Sequence, residues 1–118
     1  MTPARYAAAG HIAVLRHHVD RGRVDDALER LGLARTIVTG VSGFATAIAL
    51  ARESGLVATV PERHTASLRA GLHTFRLPLD LTPFTVSMLW HPRMHADPVH
   101  RWLRSTVQDV CAPRRPGR

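Results

Sequence analysis

The sequence predicts an α/β fold with a mostly parallel sheet flanked by helices, and three observations carry that reading. Two runs, 36–41 (TIVTGV) and 56–60 (LVATV), crowd Val, Ile and Leu with little polar alternation. Such runs are expected of parallel strands covered on both faces. Between them Phe44, Ala47, Ile48 and Ala51 recur three and four apart, which makes one apolar stripe on a helix of about 44–53. The order strand, turn, helix, strand is a βαβ unit, right-handed by steric default. Ser42 is placed to cap the helix through its side-chain oxygen, and Gly55 to end it in the left-handed conformation.

The other elements follow in chain order. Thr2-Pro3 is a cap followed by Pro at the first helical position, so residues 3–9 make an alanine-rich turn or two, ended by Gly10. Residues 11–15 (HIAVL) form a short buried strand, and 16–23 a polar loop. Asp25 and Asp26 sit in the first turn of the next helix, where negative charge is favoured. Val24, Ala27, Leu28 and Leu31 are its apolar face and Gly32 its end. Pro61 and Glu62 open a helix that runs to about Ala70 and stops at Gly71. Residues 72–77 read as a strand, 78–83 as an extended crossing segment interrupted by two prolines, and 84–90 (FTVSMLW) as a further strand. Asp97-Pro98 starts a last helix with Val99, Trp102, Leu103, Thr106, Val107 and Val110 on one face and Arg101, Arg104 and Asp109 on the other. Residues 112–118 (APRRPGR) form a frayed tail.

Bulk properties narrow the function classes. At 118 residues the chain is one small domain or a piece of a larger one, and 45% hydrophobic content suits a globular core. No apolar run approaches the roughly 20 residues that cross a bilayer, so no membrane partner is expected. The single cysteine, Cys111, excludes an internal disulfide and cysteine zinc sites, which points to a reducing cytoplasm. The net charge of +7 comes from arginine alone, since there is no lysine. Those arginines are scattered and aromatics are 5%, whereas a nucleic-acid surface clusters basic residues and intersperses aromatic ones.

Candidate sites sit at strand ends. Ser42, Gly43 and Phe44 form the turn at the carboxyl end of strand 36–41, where open α/β sheets bind ligands and helix N–H groups favour an anion. A plain helix cap is the competing reading of Ser42, and the two are compatible. Arg16, His17 and His18 follow strand 11–15 in the same way, as a cationic cleft loop or simply a solvated one. His91, His95 and His100 are spaced for a metal only across a loop, and the adjacent pair His17-His18 converges poorly, so no metal and no cofactor is expected. Ser42 lacks the nucleophile-elbow glycine pattern, Cys111 has no marked base, and no phosphate loop with lysine exists, so no enzyme chemistry is expected.

Two stretches, 41–63 (VSGFATAIALARESGLVATVPER) and 77–104 (LPLDLTPFTVSMLWHPRMHADPVHRWLR), together with 21–38 (RGRVDDALERLGLARTIV), resemble the carboxyl-terminal part of the effector-binding domain of LysR-type transcriptional regulators. The resemblance spans about residues 3–110. It implies a partial periplasmic-binding-protein-like (type 2) fold, mainly one subdomain. In that scheme 1–77 are most of the second subdomain, 78–83 the crossing linker, 84–111 the returning strand and helix of the first subdomain, and 112–118 the tail. It further implies a small effector, anionic given the candidate turn, and DNA contact only through an N-terminal winged helix-turn-helix missing from these residues. Strand 84–90 would then lack its sheet, so a homodimer covering 84–110 is expected. A stand-alone small-molecule-binding or dimerisation module is the alternative.

Overall fold

The computed structural model describes residues 1–15, 22–82 and 85–112. The chain divides into two compact units, Met1–Thr82 and Pro83–Arg118.

In the first unit α1 (Pro3–Ala7) begins as its sequence dictates: Thr2 is extended, and its Oγ1 accepts a hydrogen bond of 3.2 Å from the Arg5 N–H. Then come β1 (Gly10–Val14), α2 (Arg23–Glu29), β2 (Thr36–Val41), α3 (Phe44–Glu53) and β3 (Val57–Ala58). The three strands form one parallel sheet in the order β2-β1-β3. The two runs that read as neighbours are therefore parallel but not adjacent, because β1 lies between them. His11, Ile12 and Ala13 of β1 are accordingly buried.

β2 is an edge strand, which corrects the expectation that it is covered on both faces: Ile37 is 43% and Val38 58% exposed. β-Branched residues fit a pleated backbone whether or not anything covers it, so composition alone does not separate edge from centre. β3 is also shorter than 56–60, since only His11↔Val57 and Ile12↔Ala58 pair.

α3 lays Ala47 and Ile48 on the sheet, as the stripe requires. Its ends differ from expectation. Gly43, not Ser42, is the N-cap, and no side chain caps the first turn. At the other end Ser54 turns the chain out in extended conformation. Its hydroxyl donates to the Leu50 carbonyl at 2.7 Å and accepts from the Leu56 N–H at 3.3 Å, so Gly55 is not needed in a left-handed form.

α2 buries Ala27 and Leu28. Leu28 packs with Tyr6 and Ala7, ringed by Val24, Leu33, Val57, Leu77 and Leu79. Leu31, expected on the same face, is 56% exposed because the helix has already ended at Glu29. Gly32 closes the turn at φ 69°.

Residues 61–70 are a series of turns and a 3₁₀ segment (Ala66–Arg69) rather than the expected α-helix. The Thr65 hydroxyl donates to the Pro61 carbonyl, and arginine side chains take other carbonyls: Arg52 those of Leu68 and Ala70, Arg69 that of Glu62. Side chains thus occupy acceptors that an α-helix would give to its own N–H groups. Residues 72–77 form no strand, for want of a neighbour in the ladder.

In the second unit the described part of the expected strand 84–90, residues 85–90, is likewise without a ladder; Phe84 lies outside the described residues. α4 (Pro98–Cys111) starts as read, with Asp97 Oδ1 accepting from the His100 N–H at 2.7 Å. Its apolar face is exposed: Val99 74%, Trp102 67%, Val110 74%. Arg104, expected on the solvated face, is buried instead. It donates to the carbonyls of Met94 (3.0 Å) and His95 (2.9 Å) and lies 4.5 Å from the centre of the Trp90 ring. A planar guanidinium has enough donors to tie the 90–95 turn to the helix. The tail residues 113–118 lie outside the described part.

Candidate functional site

The register of the sheet positions the candidate turn. Val14 pairs with Val41, so β1 and β2 end level, and the Leu15 N–H donates to the Val41 carbonyl at 2.8 Å. Gly40 permits this closeness: a Cβ there would stand 2.8 Å from Leu15 Cδ1. Ser42 and Gly43 follow at the carboxyl edge of the sheet, and α3 starts at once.

The first turn of α3 has no side-chain acceptor. Gly43 is extended and offers none, and the Ser42 side chain makes no hydrogen bond among the described residues. The Gly43 carbonyl accepts from the Ala47 N–H at 3.1 Å, but the N–H groups of Phe44, Ala45 and Thr46 face out of the helix end. Ten residues of aligned peptide dipoles stand behind them. Phe44 is half-buried and meets His64 edge-on, with ring centres 6.3 Å apart. Ser42, Gly43 and Phe44 are thus brought together. Arg16, His17 and His18, one to three positions after Leu15 in the sequence, lie outside the described residues.

The remaining histidines considered for metal are engaged locally. His91 Nδ1 accepts from the Arg93 N–H at 3.2 Å, His95 stacks on Trp90, and His100 Nδ1 is 2.6 Å from an Arg104 nitrogen. Arginine only donates, so that His100 nitrogen is the acceptor. Among the described residues no group of three or more His, Cys, Asp or Glu could hold a metal ion.

Sequence reasoning missed a buried polar cluster near the starts of β1 and β2, at the other end of the strands from the turn. His11 is fully buried; its Nε2 donates to the Tyr6 carbonyl at 2.8 Å, and Nδ1 has no partner. Burial pushes its pKa below the ordinary 6.5, against the opposing pull of the Tyr6 carbonyl. The Tyr6 hydroxyl shares a 2.6 Å hydrogen bond with that of Thr59. Arg35, immediately before β2, forms a two-pronged pair with Asp25 at 2.7 and 2.9 Å. Those bonds from Arg35 hold the Asp25 carboxyl below its ordinary 3.8. Burial works against the charge on Arg35, yet its bonds to Asp25 raise its pKa above the ordinary arginine value. Asp25 read only as a first-turn acid, and a partner ten residues away carries no local sequence signal.

A concavity of about 940 Å³ lies away from this turn, lined by residues 54–60 and 72–77 together with Tyr6 and Arg69.

Comparison with known proteins gives a consistent result. The family model described as LysR substrate binding domain matches residues 1–112. The chain is similar to the HTH-type transcriptional regulator SyrM of Rhizobium meliloti (strain 1021), 35% identical over 105 residues, covering 86% of this chain and 32% of that protein. It is also similar to the HTH-type transcriptional activator NahR of Pseudomonas putida, 30% identical over 112 residues, 93% of this chain and 37% of that one. Among solved structures, the regulatory domain of MexT, a transcriptional activator in Pseudomonas aeruginosa, superposes with a TM-score of 0.75 at 32% identity, covering 92% of this chain and 56% of that domain. The chain therefore spans about a third of the length of the curated relatives it matches.

Proposed function

The chain belongs to the LysR substrate-binding domain family, and from that premise we propose that it is the effector-sensing segment of a LysR-type regulator, taking a small anionic ligand at the turn Ser42-Gly43-Phe44. The observation that carries this reading is the uncapped N-terminus of α3 at the carboxyl edge of the sheet. Three N–H donors and the positive helix end are unclaimed by any side chain, and an exposed hydroxyl stands beside them. Arg16, His17 and His18, which follow β1 in the sequence, contribute to binding the same ligand in this reading. Residues 1–77 act as most of the ligand-holding subdomain, 78–83 as the crossing linker and 84–111 as the returning strand and helix. DNA is read by a winged helix-turn-helix outside these residues. No bond is made or broken.

Titration of the 118-residue chain with a panel of small mono- and dicarboxylates, followed by amide NMR, tests the site. Weak binding is expected, with shifts centred on residues 42–46. Ala45→Pro removes one donor at a first-turn position where Pro is tolerated and weakens binding several-fold. Shifts centred elsewhere, or binding indifferent to Ala45→Pro, overturn the assignment.

The same reading includes a homodimer through residues 84–110. Val86, Leu89, Val99, Trp102 and Val110 are each at least two-thirds exposed. Trp102→Asp is expected to dissociate the dimer in a sedimentation concentration series. A wild-type chain that stays monomeric throughout the series refutes it.

A further inference from the structure

We propose that residues 61–70 form a strap along α3 that sets His64 beside the ligand turn as a side-chain donor, with Arg52 as the residue that positions it. The proposal rests on the ligand reading of Ser42-Gly43-Phe44 and adds a specificity-determining contact to that site.

The strap meets α3 at both ends of the helix. In its last turn the Arg52 guanidinium donates to the Ala70 carbonyl at 2.9 Å and to the Leu68 carbonyl at 3.1 Å. In its first turn Phe44 meets the His64 ring edge-on, with centres 6.3 Å apart and planes at 72°. That geometry lies within the range of a favourable aromatic pair. Topology agrees with the contact. β3 runs parallel to β1, as β2 does, and the strap follows β3 in the chain. The segment after β3 therefore heads for the same carboxyl edge as Ser42, the edge where open α/β sheets bind ligands.

Backbone on either side of His64 is fixed by side chains. Arg69 donates to the Glu62 carbonyl at 2.8 Å. Thr65 is fully buried, and its hydroxyl donates to the Pro61 carbonyl at 2.7 Å. His64 itself is exposed, and its ring nitrogens make no hydrogen bond among the described residues. His11 shows the opposite case in the same unit: fully buried, with its Nε2 committed to the Tyr6 carbonyl. A neutral imidazole carries one N–H and its cation two, so the His64 ring presents a donor in either state. An uncommitted donor on a held backbone needs little ordering when a ligand arrives. Standing against Phe44, it adds a side-chain donor to the three backbone donors of the turn.

The test uses the full chain, with sodium propionate and sodium succinate as probes and amide NMR as the readout. In the wild type, shifts at residues 62–66 are expected to accompany those at 42–46 and to saturate together with them. His64→Ala is expected to weaken binding several-fold. His64→Phe, which keeps a ring against Phe44 but no donor, is expected to weaken it equally, and His64→Gln, which keeps a donor, to recover most of the affinity. Arg52→Ala is expected to weaken binding several-fold alone but to add nothing in the His64→Ala chain, while lowering the urea midpoint in both. That non-additivity separates positioning of His64 from a general loss of structure. His64 is exposed, so its variants test the contact whatever Arg52→Ala does to the fold. Unchanged affinity in His64→Ala, or wild-type affinity in His64→Phe, overturns the proposal. Additive losses for Arg52→Ala and His64→Ala overturn the positioning role. Binding weakened by Ala45→Pro but not by His64→Ala leaves the turn standing and refutes the strap alone, whereas shifts centred elsewhere in the wild type refute both.

Discussion

Asymmetry in the Asp25–Arg35 pair gives the sharpest test of how the sheet edge is held. The two side chains are not equally buried: that of Arg35 is 6% exposed and that of Asp25 26%. Asp25→Ala therefore strands a guanidinium that water reaches poorly, and the expected loss is about 3–5 kcal/mol, the range for removing one partner of a buried pair. Arg35→Ala leaves a carboxylate that water can reach and that sits in the first turn of α2, where the helix end favours it. Its expected loss is about 1–2 kcal/mol. The double variant should fall well short of the sum, with a coupling energy of roughly 1–3 kcal/mol. Against a total stability on the order of 5–10 kcal/mol for a domain of this size, either single loss is readable. Urea denaturation followed by far-ultraviolet circular dichroism is the assay. Tryptophan emission would report the wrong unit, since Trp90 and Trp102 both lie in the second. Equal losses for the two single variants, or additive losses in the double, would refute the reasoning from unequal burial.

Three further outcomes follow from the same geometry. Leu28→Ala should cost about 2–5 kcal/mol because the side chain is fully buried against Tyr6 and Ala7, whereas Leu31→Ala three positions on should stay within about 0.5 kcal/mol; urea midpoints distinguish them. Stability should be flat above pH 6.5 and fall below it, because unfolded His11 accepts a proton that its buried folded form resists. A second fall begins below pH 3.8, where unfolded Asp25 protonates while the folded carboxylate is still held charged by Arg35. The slope attributable to either group cannot exceed about 1.4 kcal/mol per pH unit, and His11→Leu should abolish the upper step alone in denaturation curves taken from pH 8 to 3. Ser42→Ala should leave thermal stability unchanged, since the hydroxyl caps nothing, but should weaken carboxylate binding at the turn; a melting point lowered by several degrees would restore the capping role.

The parts legible in the sequence were those written in local chemistry. Thr2-Pro3 and Asp97-Pro98 placed two helix starts to the residue, because cap and proline act on their own first turn. The stripe Phe44, Ala47, Ile48 and Ala51 placed α3 and its buried face. What failed depends on partners distant in the chain. Runs 72–77 and 85–90 have strand-like composition, but a strand exists only where a second backbone supplies the ladder. β2 read as covered on both faces because Ile37 and Val38 are aliphatic, and only the sheet order β2-β1-β3 reveals an edge. Arg104 fell on the polar face of α4 by periodicity, yet the carbonyls of Met94 and His95 draw its long side chain down onto the preceding turn. The turn at Ser42 lies at the carboxyl edge of the sheet as read, but Gly43 and not Ser42 is the N-cap, because the chain stays extended one residue further before the helix begins.

The edge position of β2 also bears on how a ligand at that turn could be sensed. A ligand shifts a conformational equilibrium only as far as it binds one state better than another. Had β2 been central, two ladders and two covering layers would hold the turn, and little free energy would separate bound from unbound geometry there. As built, β2 is held along one side by β1, with an irregular register step between His11 and Ile12, and at its start by Arg35 on Asp25. A ligand held at Ser42–Phe44, as proposed above, would therefore act on a strand with one ladder and one ionic anchor. Weakening the anchor should loosen the turn without unfolding the sheet. Arg35→Ala is then expected to lower carboxylate affinity several-fold under conditions where the domain stays folded, although Arg35 lies at the opposite end of β2 from the turn. Unchanged affinity in that variant would mean that the β1 ladder alone fixes the site.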